Sequence, residues 1–306
     1  MKKLFTFLFV GAMITSCSND EINEINEPET AVDLETQVSE GLYDNSNLGI
    51  YKGLFTTADG KNRATVLIEL DGKNNPVASF NFPDGNFEAF RAQNNVDKSQ
   101  AGSLRFEGEN FSFDFNVDAD GADPVVSDVT YMGQKGDVMI LKETSKAPVQ
   151  TKTGTYTCES GCFGDDDDTV PHPELGAPGA LQTFNFMLQG TEGDSPIFMQ
   201  YVLNSRTYTG DVLQASCDAG IFGNLITCEL FAEPNLRGNT GPIRFRSLDN
   251  PDTSLLFHEY ASDGTGIACS SYYGTGIYRS SLFGRSTISI ITDDAVADGG
   301  DCNERR

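Results

Sequence analysis

Downstream of residue 47 the chain repeats one pattern: a short run rich in Val, Ile, Phe and Thr, then a turn signal, at 59, 71, 84, 108, 120 and 135. Asp-Gly, or Gly beside polar residues, marks most of these turns, which is the cadence of antiparallel strands joined by tight hairpins. The runs predict strands near 48–57, 63–70, 76–82, 87–92, 103–107, 110–117, 125–132 and 137–142. The clearest is Phe111-Ser112-Phe113-Asp114-Phe115-Asn116-Val117, whose strict alternation puts phenylalanines and a valine on one face and polar groups on the other. That period of two belongs to a strand with one face buried and one wet.

Short strands joined by tight turns leave two unpaired edges unless the sheet closes on itself. The predicted class is therefore all-β, as two tandem antiparallel domains, with small up-and-down barrels favoured over a β-sandwich. An eight-stranded barrel is just wide enough inside for side chains, and Phe80, Phe82, Phe106, Phe111, Phe113 and Phe115 would fill the first one. The division follows the cysteines, since 47–147 has none and the rest of the mature chain has six beyond Cys17. A polar stretch with Pro148 and several threonines marks the junction. The expected units are a signal over 1–16, an acidic disordered tether over 17–46, a cysteine-free domain over 47–147, a linker over 148–153 and a cysteine-bearing domain over 154–306. Leu48-Gly49-Ile50-Tyr51 and Thr153-Gly154-Thr155-Tyr156 open the two domains alike, and both tetrapeptides resemble the Gly-x-Tyr/Trp opening of lipocalin and avidin barrels. The resemblance implies calycin-like barrels in tandem and no particular ligand. Both domains also close on an apolar strand, Val138 to Leu141 and Ser286 to Ile291.

The first sixteen residues have the layout of an export signal: Lys2 and Lys3, an apolar stretch from Leu4 to Ile14, then small residues. The apolar run falls short of the roughly 20 residues a permanent membrane span needs. Ile14-Thr15-Ser16-Cys17 resembles the lipobox of bacterial lipoproteins. That likeness implies cleavage before Cys17 and acylation of its sulfur and freed amine, which would tether the protein to a lipid bilayer, as an outer-membrane lipoprotein. Asp20 and Glu21 are similar to the export tag of surface lipoproteins in the Bacteroidota, which implies surface exposure. From Ser18 to Asn47 there are many acidic residues and no lysine or arginine. Such a segment buries too little to offset its ordering entropy.

A formal charge of −24, more negative once the signal lysines are removed, argues against nucleic acid as a partner. Phosphate backbones are held by clustered lysine and arginine, and the chain has no such cluster. In an oxidising compartment the even number of remaining cysteines reads as disulfides. Fifteen pairings are open to six cysteines. Near neighbours are favoured: Cys158 with Cys162, Cys217 with Cys228, and Cys269 with Cys302.

Candidate chemistry is sparse. His172 and His258 stand apart, neither within a metalloprotease motif nor beside a nucleophile elbow. Asn116, Asp118 and Asp120 with Gly121 match the start of a calcium loop, but Ser127 replaces the glutamate at its twelfth position. Asp165, Asp166, Asp167 and Asp168, followed by His172, make a second cation candidate in a long loop. Tyr272 and Tyr273 offer stacking faces and hydroxyls to a ligand. Calcium is the one cofactor these residues suggest. The functional expectation is a non-enzymatic binding or envelope-associated module, with glycans, cations and small molecules as partner classes and the second domain as the binding one. The alternative is a glycan-directed hydrolase using carboxylates.

Overall fold

The computed structural model describes residues 37–164, 169–173, 175–190, 196–203, 206–210, 242–246, 254–258, 273–280 and 284–293. The first sheet has eight strands: β1 (Gly49–Thr57), β2 (Arg63–Leu70), β3 (Val77–Asn81), β4 (Phe87–Arg91), β5 (Gly102–Glu107), β6 (Phe111–Val117), β7 (Val125–Tyr131) and β8 (Gln134–Glu143). Every one lies within three residues of its predicted position. The order is β4-β3-β2-β1-β8-β7-β6-β5, so pairing of β1 with β8 curls the sheet into a nearly closed barrel with its seam between β4 and β5.

The interior is filled. Along β6 Phe111, Phe113, Phe115 and Val117 are buried while Ser112, Asp114 and Asn116 are only partly covered. Phe80 and Phe106 are fully buried with them, and Phe82 packs at the edge of the cluster. Phe106 stacks on Phe113 with centroids 4.8 Å apart, and Phe55 meets Phe111 edge-on at 4.8 Å. Such pairs add about 0.5–1.5 kcal/mol each beyond the area they bury.

The second sheet repeats the winding. Its strands are β9 (Val149–Lys152), β10 (Gly154–Ser160), β11 (Gln182–Gly190), β12 (Pro196–Leu203), β13 (Arg206–Gly210), β14 (Pro242–Arg246), β15 (Ser254–His258), β16 (Tyr273–Ser280) and β17 (Gly284–Thr292). The order β13-β12-β11-β10-β17-β16-β15-β14 is that of the first sheet with β10 in place of β1. The two opening tyrosines also match. Tyr51 donates its hydroxyl to the Asn47 carbonyl at 2.7 Å and Tyr156 to that of Leu175 at 2.8 Å, both rings being buried.

Two expectations need correction. Residues 148–153, read as a linker, contain half a strand. Lys152 stands opposite Phe186 and Thr155 opposite Thr183, so β9 and β10 pair with β11 in one continuous register. The strand is interrupted at Thr153, whose carbonyl accepts the Asp293 amide at 2.9 Å. Val149 is covered because, with Met187, it packs on Leu54 and Met139 from the outer wall of the barrel. The end of the acidic tether is likewise ordered: 37–47 lies on the barrel and includes a short 3-10 turn, Gly41–Tyr43. Backbone groups and short polar side chains hold it, which is why its composition concealed it.

A shared face joins the two sheets. Asn185 donates to Thr56 Oγ1 at 2.6 Å and to the Phe55 carbonyl at 3.3 Å, and Thr183 donates to the Gly60 carbonyl. Arg63 grips Asp293 through two bonds, 2.7 and 2.5 Å long. β1 is consequently buried on both faces, with Tyr51 and Phe55 inside the barrel and Leu54 and Thr56 under the second sheet.

Candidate functional site

The outer wall of the barrel at β1 and β8 carries charged side chains where a lone barrel would be wet. Lys52 and Glu143 form an ion pair at 2.6 Å with side-chain exposures of 5% and 2%. The segment 37–47 covers the pair on one side and β9 on the other. Glu143 Oε1 accepts the Ser39 amide at 3.1 Å, Oε2 accepts the Val149 amide at 3.0 Å, and Lys52 Nζ also donates to the Gln37 carbonyl at 2.7 Å. Removing either partner of a buried pair leaves the other charge uncompensated, which is costly even where the intact pair contributes little.

Lys142, next along β8, is bound by backbone oxygen. Its ammonium donates to the carbonyls of Tyr43 (2.8 Å), Asp120 (3.2 Å) and Ser46. Burial holds its pKa below the usual lysine value, while the charges of Asp44 and Asp120 work against that shift. Gly121 has φ +82°, and a Cβ there would lie 2.6 Å from the Ser46 carbonyl and 2.5 Å from the ammonium, so only glycine fits. Beside this cage an open groove of about 660 Å³ runs between the two sheets, bounded by Asp44, Asp123, Val125 and Ile140 on one side and Gln189 on the other. Gln189 closes it by donating to the Lys142 carbonyl at 2.9 Å.

A second cleft, about 480 Å³, lies between 37–43 and the outer face of β1 to β4. The register places Ile50, Glu69, Val77 and Arg91 in one row across those strands. Partial desolvation, reinforced by the charge of Asp71, raises the Glu69 carboxyl above its ordinary range. Asp71 goes the other way: against desolvation, the amides of Asn74 and Lys73 and the Asn74 side chain lower its pKa.

The residues singled out in the sequence are placed as follows. Asn116 ends the exposed side of β6, and Asp118 and Asp120 occupy the turn to β7, where Asp120 Oδ1 accepts the Ala122 amide at 3.0 Å. The cation against this turn is the Lys142 ammonium. Among the described residues no three His, Cys, Asp or Glu side chains converge as metal ligands. Cys158 and Cys162 are joined in a disulfide, the favoured near-neighbour pairing, and both are buried. Gly161 within that loop has φ +66°, a conformation that suits glycine. His172 is fully buried over one end of the second sheet, edge-on to Tyr278 at 6.0 Å. Its Nδ1 accepts the Leu175 amide at 3.1 Å, so that nitrogen carries no proton and its lone pair is engaged. Tyr273 opens β16 opposite Ile291. Cys17, Cys217, Cys228, Cys269, Cys302, Asp165, Asp166, Asp167, Asp168 and Tyr272 lie outside the described residues.

Lys52, Lys142, Glu143 and Glu69 were not anticipated. One signal existed for the first three: Lys52 interrupts the apolar run of β1, and Lys142 and Glu143 follow directly on Val138 to Leu141.

No protein-family model and no curated protein matches the chain. A solved structure, kievitone hydratase from Nectria haematococca, aligns over 86% of this chain and 96% of its own at 11% identity and a TM-score of 0.22. A score that low carries no conclusion about fold or function.

Proposed function

We propose that the chain is a lipid-anchored, extracytoplasmic module of the outer membrane that binds its ligand on outward-facing surfaces without transforming it. The packed interior of the first barrel carries this reading: the lumen that would hold a ligand in a wider barrel is occupied by Phe80, Phe106, Phe113 and Phe115. Recognition then falls to the outer clefts and, on the sequence reading, to the second domain, since loops on rigid sheets ordinarily carry recognition. The disulfide accords with an oxidising address. Lipidation is tested by Cys17→Ala, which should abolish fatty-acid labelling and release the protein from membranes. Retained label would remove the anchor from this account. Binding is tested by screening the whole protein against glycans, divalent metals and small hydrophobes. Turnover of a glycan in that screen would replace the binding reading with the hydrolase one.

That second reading has one observation in its favour. Glu69 and Asp71 border the same cleft with pKa values moved in opposite directions, as an acid and its charged partner require. Against it, Asp71 spends Oδ1 on the amides of Lys73 and Asn74 and Oδ2 on the Asn74 side chain, which is the work of a turn-capping residue. Loss of glycan turnover in Glu69→Gln, with the fold intact by circular dichroism, would establish it.

A further inference from the structure

We infer that residues 37–47 act as a clasp on the hinge between the two sheets, and that seating this clasp sets the shape of the groove between them. The hinge is short. β8 ends at Glu143 and β9 begins at Val149, leaving 144–148 to carry the chain from one sheet to the other. Within that turn Thr144 and Ala147 exchange long backbone bonds of 3.3 and 3.2 Å, and the Ala147 amide also donates to the Thr144 hydroxyl at 3.0 Å.

The clasp brackets this turn from both ends. At its start, Ser39 donates its amide to Glu143, the carboxylate whose other oxygen takes the Val149 amide. At its middle, Asp44 accepts both the amide and the hydroxyl of Ser145, at 2.8 and 2.6 Å. Its far end is pinned to the barrel: Asn47 donates to the carbonyls of Asp97 and Gln100, 2.8 Å each, and accepts the Ser99 amide at 2.8 Å. Lys142 then ties the carbonyls of Tyr43 and Ser46 to that of Asp120.

Shared partners couple the contacts of the clasp to one another. With the clasp seated, both Glu143 oxygens are engaged and Lys52 Nζ bonds Glu143 and the Gln37 carbonyl, in a dry site. Lifting Ser39 and Gln37 exposes that pair and frees Glu143 from one of the two segments it joins. The Val149 amide then depends on a carboxylate that can turn toward water. Lifting Asp44 from the turn also removes it from the wall of the groove, to which the second sheet contributes Gln189 among the described residues. Seating of the clasp and the width of the groove are therefore two readings of one equilibrium, and a ligand favouring one groove width must bias the clasp as well. The inference stands on the junction itself and does not require the lipid anchor, although the clasp is the route by which an anchored N-terminus would meet the fold.

Hydrogen exchange on the full-length protein tests it. Ser39→Pro deletes the amide donated to Glu143, and Asp44→Ala deletes the acceptor of Ser145. Each should accelerate exchange of the Val149 and Ala147 amides at least tenfold while leaving Phe113 in β6 unchanged. Paired spin labels at Glu109, in the exposed turn between β5 and β6, and Glu159, an exposed position near the end of β10, should show a broadened distance distribution. Ser39→Ala keeps the amide and loses a buried hydroxyl that has no hydrogen-bond partner among the described residues, so it should behave as the parent. Unchanged Val149 exchange in Asp44→Ala, which alters a partly exposed side chain and should fold whatever Ser39→Pro does, would overturn the clasp. So would acceleration of Phe113 equal to that of Val149, since it would mean general destabilisation instead of a hinge.

Discussion

The first barrel and the second sheet share a strand order and an opening Gly-x-Tyr, yet their described interiors are built differently. The first closes over phenylalanines, aliphatic residues, Tyr51 and Tyr131, without a cysteine. The second also buries apolar residues, Phe184, Phe186, Ile288 and Ile290, beside Tyr156 and Tyr278, but adds His172, a disulfide, Ser286 and Thr292. Beyond Cys162, His172 and Leu175 are fully buried, and the Leu175 carbonyl is held by the Tyr156 hydroxyl. The same winding thus accommodates an apolar core without a cross-link in one case and apolar residues joined by a buried histidine and a disulfide in the other. A barrel topology dictates the positions that face inward; it does not dictate what must stand there.

The largest test of this contrast is Phe113→Ala. Truncating a buried phenylalanine costs about 3–5 kcal/mol, so denaturant unfolding should shift strongly for signals from the first barrel. If both sheets lose stability together in one coincident transition, the shared face makes them a single cooperative unit and the contrast is only local. Next is replacement of Cys158 and Cys162 by alanine. The loop they close is short, so the entropic model gives about 2 kcal/mol. Exchange protection should fall at His172 and Leu175 and hold at Phe113. Burial of both sulfurs also predicts that mild reductant leaves the bond intact in the native protein, as thiol counting would register.

Smaller effects compare the two halves directly. Tyr51→Phe and Tyr156→Phe each strip one buried hydroxyl from a carbonyl, a loss of about 1 kcal/mol. Burial, aided by the charge of Asp120, pushes the Tyr51 phenol up, so ultraviolet titration should find it protonated where exposed tyrosines ionise. A markedly larger loss in one variant would show that the matched tyrosines do different work. The smallest effect concerns the clasp. Hydrogen bonds from the Ser145 side chain and amide hold the Asp44 carboxyl below its usual value. A carboxylate with a depressed folded pKa stabilises above its unfolded pKa, about 3.9, and loses that contribution as pH falls through the folded value. Exchange at Ser145 should therefore rise in that acidic window in the parent and show no such step in Asp44→Asn.

How much could be read from the chain varies with how many faces of an element are buried. β6 was legible because one face alone is covered, leaving the alternation of Phe111 to Val117 intact. β1 was placed, but its burial on both sides was not foreseen, since Lys52 and Thr56 read as solvent positions until the second sheet and the clasp cover them. β9 was missed because Val149-Gln150-Thr151-Lys152 is mostly polar and its partner, β11, lies thirty residues onward. The clasp was missed for a different reason. Its bonds run largely through backbone groups, which every sequence possesses. The pairing of Cys158 with Cys162 needed only proximity along the chain.

The continuous strand formed by β9 and β10 also bears on any attempt to cut the molecule in two. A piece ending near residue 147 would carry Leu54, Met139 and Leu141 on an outer wall stripped of Val149 and Met187. Adjacent apolar side chains on a bare sheet face attract copies of themselves. Such a fragment should associate with itself in solution, and the second sheet, lacking its wall, should do the same; the halves are solubilising partners for each other before they are anything else.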